Sequence, residues 1–333
     1  MSKGYFNPDV VGRIAAIGLK ARLPMEGSVS GMHRSPLHGL SPEFADHRAY
    51  YPGDDLRNID WKVLGRTDRY YVKRFEEESN LRAHFFVDAS RSMNYGADAA
   101  QPNSRSKFDV ASTIAVAMAA VLLKQRDSVG FSAVSTTQSR EHRPSSLSSQ
   151  LPRMVELLEG TVPDGETDLG KVVSGLAERL PRRGLVVILS DLLTPLDHLY
   201  ESLGKLQHSG HEVLLLHILH RDELELPFDD SVIFRDIEGN EELFAEPWAF
   251  RAVYREAMEQ FSADVRQRCQ FCGIDYLQIL TDEEIGLRLS HFLHARQFTG
   301  PQRHRGNMSL LRDDPSPTTP PTSTDRSDTP PAV

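Results

Sequence analysis

AHFFVDASRSM, residues 83–93, begins as a short aromatic and β-branched run and stops at an acid followed by small polar residues. That is the pattern of a strand buried on both faces and ending in a turn. Four runs of the same kind follow: VGFSAV (129–134), LVVILSD (185–191), EVLLLHIL (212–219) and IDYLQIL (274–280). Between them, residues 108–124, 147–159, 168–180, 196–207 and 248–272 carry apolar side chains at helical spacing. Strand and helix in alternation predict an α/β fold with a doubly wound, mainly parallel, Rossmann-like sheet covered by helices on both faces. Residues 114–123 are apolar all round, as a helix packed between sheet and neighbours must be. In VIFRDIEGNEELFAEP (232–247), Glu-Gly-Asn separates two short alternating runs, which is a hairpin signal. A small β insertion near 231–247 is therefore expected.

The chain has 333 residues, with 38 Lys and Arg against 47 Asp and Glu, for a net charge of −9. Phosphate backbones and anionic bilayers are gripped by clustered basic groups, so this balance argues against nucleic acid and membrane as partners. The longest strictly apolar run, 114–123, is about half of what a membrane-spanning helix needs. The opening MSKGYFNPDVVGRIAAIG lacks the continuous apolar stretch of a secretory signal, so a cytoplasmic location is expected. Residues 1–82 do not alternate: an amphipathic stretch at 10–23 leads into a connection rich in Gly, Ser, Pro and His, then a block dense in both charges. They read as an N-terminal segment, with the α/β domain at 83–298. Residues 299–333 hold seven of the twenty prolines and almost no aliphatic side chains, so they are expected to be a disordered tail.

Cys269 and Cys272 form a lone CxxC, which is half of a tetrahedral zinc site. His291 and His294 would be the other half, but their spacing is tight and Leu287, Leu289, Phe292 and Leu293 around them read as a packed helix. Reduced structural thiols are the expectation, since a redox CxxC opens a helix and this pair closes one.

The chemistry concentrates at the strand ends. Asp88, at the carboxyl end of the first strand, is followed at two-residue spacing by Ser90 and Ser92. Asp191 ends LVVILSD, and Thr167 lies in the turn PDGETDLG (163–170) just before a helix. Ligands of open α/β sheets bind at this edge. Two carboxylates and three hydroxyls form an all-oxygen set, which suits Mg²⁺, or Mn²⁺ or Ca²⁺, better than zinc or copper. The plainer role open to the same residues is capping helices and satisfying turn amides.

In type and order these five residues resemble the metal-ion-dependent adhesion site of von Willebrand factor A domains, DxSxS then Thr then Asp, with the likeness running over 83–296. Upstream, Arg48, Tyr50, Gly53, Asp54, Arg57, Ile59, Asp60, Trp61, Lys62 and Arg66, followed by Glu76 to Glu78, resemble the RxYxxGDxxRxIDW motif of the DUF58 family of bacterial proteins. The resemblance implies an A-like domain that captures proteins through a bound divalent ion, with Asp88, Ser90, Ser92, Thr167 and Asp191 as its holders. It also implies a MoxR-type AAA+ ATPase as partner. The transmembrane helices of many relatives have no counterpart here. For the motif itself a structural role is expected: Pro52 and Gly53 turn the chain, Ile59 and Trp61 pack, and the Arg and Asp residues pair as a brace.

Catalytic readings find little. Phosphatases of the haloacid dehalogenase type need an acid at position 90, where this chain has Ser. GETDLGKV (165–172) comes within one residue of a P-loop, but Val172 replaces the metal-binding hydroxyl, and Glu166 and Asp168 would repel phosphate. No GxSxG or HExxH occurs. The expectation is a non-enzymatic, metal-dependent adaptor that binds a partner's Asp or Glu carboxylate. A metal-independent scaffold, binding through the N-terminal block and the β insertion, is the alternative, and a metal-dependent hydrolase a more remote one.

Overall fold

A computed structural model describes residues 4–20, 33–34, 44–49, 60–67, 70–75, 78–79, 81–97, 104–135, 139–180, 183–235 and 242–298. The tail at 299–333, the turn of the β insertion and the motif residues 50–59 lie outside them.

Helix α1 (Pro8–Ile17) comes first. Strands β1 (His33–Arg34) and β4 (Glu78–Ser79) pair antiparallel, as do β2 (Phe44–Ala49) and β3 (Tyr71–Phe75), with α2 (Trp61–Thr67) between β2 and β3 in the chain. There follow β5 (Arg82–Asp88), a 3₁₀ turn (Arg91–Asn94), α3 (Lys107–Lys124), β6 (Ser128–Val134), β7 (Ser139–Ser145), α4 (Gln150–Glu159) and α5 (Leu169–Arg179). The remainder is β8 (Leu185–Ser190), α6 (Leu196–His208), β9 (Glu212–Leu219), α7 (Arg221–Glu225), β10 (Val232–Arg235), β11 (Glu242–Ala245), α8 (Pro247–Phe271), β12 (Asp275–Leu280) and α9 (Ile285–Phe298).

The main sheet has six strands in the order β12-β9-β8-β5-β6-β7, all parallel except β7. The five expected strands are therefore present, four of them buried and β12, at the edge of the sheet, only partly so; the insertion is the antiparallel pair β10 and β11. Alternation along β5 divides the core in two: Phe85 and Val87 pack with residues of α1, α3, α4 and α9, while Phe86 packs with those of α5, α6 and α8. Period two along a strand is what sends neighbouring side chains to opposite helical layers. Tyr5, Val10, Ile14 and Leu19 join the first layer, so the start of the chain shares the core of the α/β domain. Helix α1 ends at Gly18, whose φ of 77° takes the chain out of helical geometry.

The sheet fixes the site through its topology. From central β5 the chain crosses to β6 on one side, then returns through α4 and α5 to β8 on the other. The crevice at the carboxyl ends of β5 and β8 is the switch point where such folds bind ligands. Strand β7 escaped the sequence pattern because SREHRPS is polar; it is an exposed edge strand with Pro144 near its end, as an unpaired edge tolerates.

His84, on β5, is buried with its Nε2 3.1 Å from Ser132 Oγ. Burial, and secondarily the charge of Arg179, hold its imidazolium down to about 4. The neutral ring is favoured in the fold, so its contribution is complete above the unfolded value of 6.5 and is lost as pH falls from there towards 4. The loss amounts to about 3 kcal/mol. In urea unfolding between pH 7 and pH 4, His84→Leu is expected to flatten the wild-type decline by about that amount; parallel curves would remove His84 as the cause.

Candidate metal centre

The site is built at two neighbouring strand tips. Val87 pairs with Leu189 across the parallel β5 and β8, so Asp88 lies level with Ser190 and one residue short of Asp191. Asp88 Oδ1 accepts the Ser90 backbone N–H at 3.0 Å, and its Oδ2 accepts the Ser190 hydroxyl at 2.6 Å. The hydroxyl oxygens of Ser90 and Ser92 lie 3.0 Å apart. Thr167 arrives from the loop before α5. Its hydroxyl donates to the Val134 carbonyl at 3.4 Å, the same oxygen that accepts the Ala89 N–H at 3.1 Å. That loop is laced to the first by Asp164 N–H to the Ala89 carbonyl at 3.0 Å and Arg91 N–H to the Gly165 carbonyl at 2.8 Å. The five predicted residues thus meet at one rim, with Asp88 3%, Ser90 2%, Ser92 2%, Thr167 7% and Asp191 1% exposed.

Asp191 is held more firmly than its neighbours. Its Oδ1 accepts the Leu193 N–H at 3.2 Å, and its Oδ2 accepts the Lys107 ammonium at 2.7 Å. Its carbonyl accepts from His217 Nε2 at 3.0 Å; because a carbonyl only accepts, that nitrogen carries the proton and Nδ1 receives the Tyr276 hydroxyl at 2.8 Å. The next residue, Leu192, takes φ 60°, a left-handed conformation that a branched side chain adopts at a cost of about 1 kcal/mol. The buried Leu192 side chain and its N–H bond to Ser190 Oγ at 3.0 Å hold it there.

Burial raises the Asp88 carboxyl to about 6, the charge of Asp191 adds to the rise, and the bonds from Ser190 and Ser90 offset part of it. Two acids side by side in a dry site disfavour both being charged unless a cation joins them. The donor set fits such a cation: hard oxygens from three loops, two of them carboxylates. Among the described residues no group of three or more His, Cys, Asp or Glu is placed to hold a metal; three of the five donors here are Ser and Thr.

Arg91 pairs with Asp164 at 2.7 Å on the surface and stays out of the rim. Cys269 is buried on α8, Cys272 follows that helix, and neither forms a disulfide. Burial pushes the Cys269 thiol up to about 12 and raises Cys272 as well, which fits inert structural thiols. In the described part of the charged motif, Asp60 caps α2 by accepting the Val63 N–H at 3.2 Å. The expectation that Trp61 packs is corrected: it is 63% exposed, because Asp60 rather than Trp61 is the residue turned inward at the start of α2.

A family model described as "Protein of unknown function DUF58" matches residues 46–264, about two thirds of the chain. The chain belongs to the DUF58 family. Among curated relatives, this DUF58 protein is similar to an uncharacterized protein of Mycobacterium tuberculosis, 25% identical over 303 residues, which span 87% of this chain and 91% of that protein. Among solved structures it is similar to the conserved hypothetical protein BatB of Bacteroides thetaiotaomicron. There the identity is 15% and the TM-score 0.44, with 66% of this chain and all of that one covered. It is also similar to the VWA domain of SpRpn10, with 9% identity, a TM-score of 0.35, and 65% and 94% coverage. Among the described residues no helix is long and apolar enough to cross a membrane.

Three residues of this DUF58 chain lie outside the expected donor set yet are tied to its acids: Ser190 and Lys107 directly, and Glu223 through Lys107. Ser190 was in view as the residue before Asp191. Lys107 and Glu223 were not, since a lysine opening an apolar helix and a glutamate after β9 gain meaning only when the sheet brings them together.

Proposed function

We propose that this protein is a non-enzymatic adaptor that captures other proteins through a divalent cation held by Asp88, Ser90, Ser92, Thr167 and Asp191, with Mg²⁺ the preferred ion. The observation that carries this reading is the convergence of two buried carboxylates and three hydroxyls at the switch point of the sheet. With Lys107 offsetting one of the three local carboxylates, Asp88, Asp191 and Glu223, the site keeps two formal negative charges, the complement of one divalent ion. A bound ion would supply a positive centre for the carboxylate of an incoming Asp or Glu. The side chains around it orient that carboxylate and exclude water, which strengthens the contact. By resemblance to the DUF58 family, the proposed partner is a MoxR-type AAA+ ATPase. The proposed location, which that resemblance does not supply, is the cytoplasm.

Calorimetric titration of the purified chain with Mg²⁺ and Mn²⁺ tests the reading. Saturable one-site heat, and co-purification of a MoxR-type ATPase that chelation abolishes, are expected. No heat together with chelator-resistant capture would reject it. A specific observation favours a second reading, the metal-independent scaffold. The β10–β11 hairpin and the first turns of α8 leave Ile233, Leu243, Phe244, Trp248 and Val253 between 57% and 70% exposed, and grouped exposed apolar side chains mark interaction surfaces. Replacing Phe244 and Trp248 with Ser separates the two, since only the scaffold would lose its partner while metal uptake stays intact.

A further inference from the structure

Lys107 is the first residue of α3 and is 0% exposed. A lysine there is doubly disfavoured: burial strips its ammonium of water, and the positive end of the helix repels it. What holds it are the Asp191 carboxylate at 2.7 Å and Glu223 Oε1 at 2.5 Å. Burial opposes its charge, but the two acids outweigh that and keep the ammonium protonated beyond its ordinary range. Glu223 is fixed in turn: its other oxygen accepts the His220 N–H at 2.7 Å, and its carbonyl accepts the Tyr254 hydroxyl at 2.7 Å. Nothing in the packing of α3 requires a charge at this position, since Phe108, Val110, Ala111 and Ile114 beside it are buried and apolar.

We infer that Lys107 is a resident cation that competes with the divalent ion for Asp191, and that Glu223, pulling the ammonium from its other side, sets how strongly it competes. This inference rests on the metal reading above. The ammonium occupies one oxygen of Asp191 and adds a positive charge beside the ion, so it weakens uptake and leaves the ion short of anionic ligands. A site so balanced is held loosely by the protein alone and gains most from a partner's carboxylate. Glu223 connects that balance to α7 and, through Tyr254, to α8, so a partner touching those helices reaches the metal through a chain of three contacts.

The test uses the full chain and the metal alone. An added or removed unit charge within a few ångströms of a half-screened ion changes its affinity about tenfold or more. Lys107→Met should therefore tighten Mn²⁺ binding by about tenfold and enlarge the Mn²⁺-induced rise in melting temperature, while Glu223→Gln should weaken binding by about tenfold. The double variant Lys107→Met with Glu223→Leu keeps the net charge and should return close to the wild-type affinity. If Lys107→Met does not fold, the loss in Glu223→Gln and the near-wild-type double variant carry the test. Wild-type binding with both single variants unchanged, or shifted in the same direction, would overturn the role of Lys107 and leave the metal site standing. Absence of binding in the wild type and all variants would instead overturn the metal site, and this inference with it.

Discussion

Asp88→Asn is expected to give a chain that melts no lower than the wild type and takes up no Mg²⁺. The residue sits where a charge is costly: it is buried, beside Asp191, and both effects raise its carboxyl to about 6. Asparagine has the same shape. It keeps an oxygen to accept from the Ser190 hydroxyl or the Ser90 N–H, and it removes the charge that burial and Asp191 oppose. The metal-free fold should therefore melt at the wild-type temperature or a few degrees higher. The proposed metal uptake should respond in the opposite direction, because the set loses one of its two carboxylates and the net charge left for the ion is halved. A weakening of at least about 100-fold is expected from the loss of a charged ligand in a partly dry site. Scanning calorimetry with and without Mg²⁺ checks both halves. A melting temperature lowered by more than about 5 °C would mean that Asp88 is a structural brace, and undiminished uptake would mean that the ion lies elsewhere. Functional sites commonly keep groups the bare fold would prefer to shed, which makes the paired outcome more informative than loss of binding alone.

The fold was readable because each buried strand advertises itself. EVLLLHIL coincides with β9, and the other four buried runs differ from their strands by a residue at most, since strands covered on both faces admit little but aliphatic and aromatic side chains. Elements whose stability comes from elsewhere left weaker traces. Strand β7 is polar because one of its edges is open. Helix α4 begins at Gln150 rather than near Leu147, because residues up to Ser145 are taken by β7; Leu147 is left exposed. At the site, the five oxygen donors were visible because the order of residue types survives in the linear chain. Lys107 and Glu223 were invisible for a physical reason. Their meaning is a partly buried ion triad joining the start of α3, the residue after β8 and α7, and no local pattern encodes a contact over 116 residues. The exposure of Trp61 has a related origin: IDW looks like the apolar start of a packed helix, but the helix presents its cap to the interior and its tryptophan to solvent.

Arg296→Met is expected to be the most destabilising single change outside the hydrophobic core. The guanidinium lies near the end of α9, buried, where Nη2 donates to the Glu212 carboxylate, Nε to Asp275 Oδ2 at 2.9 Å and Nη1 to the Lys20 carbonyl at 2.8 Å. Glu212 opens β9 and Asp275 opens β12, so one side chain ties the amino ends of two adjacent strands to the last helix and to the chain just after α1. Gln297 adds a bond to the Ile17 carbonyl at 2.9 Å, but that contact is exposed and carries no charge. A planar fork of five donors suits three acceptors converging from different directions, so lysine would not substitute for it. Methionine keeps the length and apolar stem of the arginine and removes the charge, which leaves the buried Glu212 without its guanidinium. Breaking a buried pair from one side costs about 3 to 5 kcal/mol, because the remaining charge has been desolvated with its compensation gone. For a domain of this size that corresponds to a fall in melting temperature on the order of 10 °C. The companion variant Arg296→Met with Glu212→Leu removes both charges and should recover much of the loss, since apolar groups of similar volume replace ion pairs at little cost. If the single variant melts within about 2 °C of the wild type, or the double variant is worse than the single, the clasp contributes shape rather than charge. Both variants should still take up Mg²⁺ with wild-type affinity when folded, because the clasp lies at the amino ends of the strands and the metal centre at their carboxyl ends. Stability and the proposed ion binding would thereby be separated to opposite edges of one sheet.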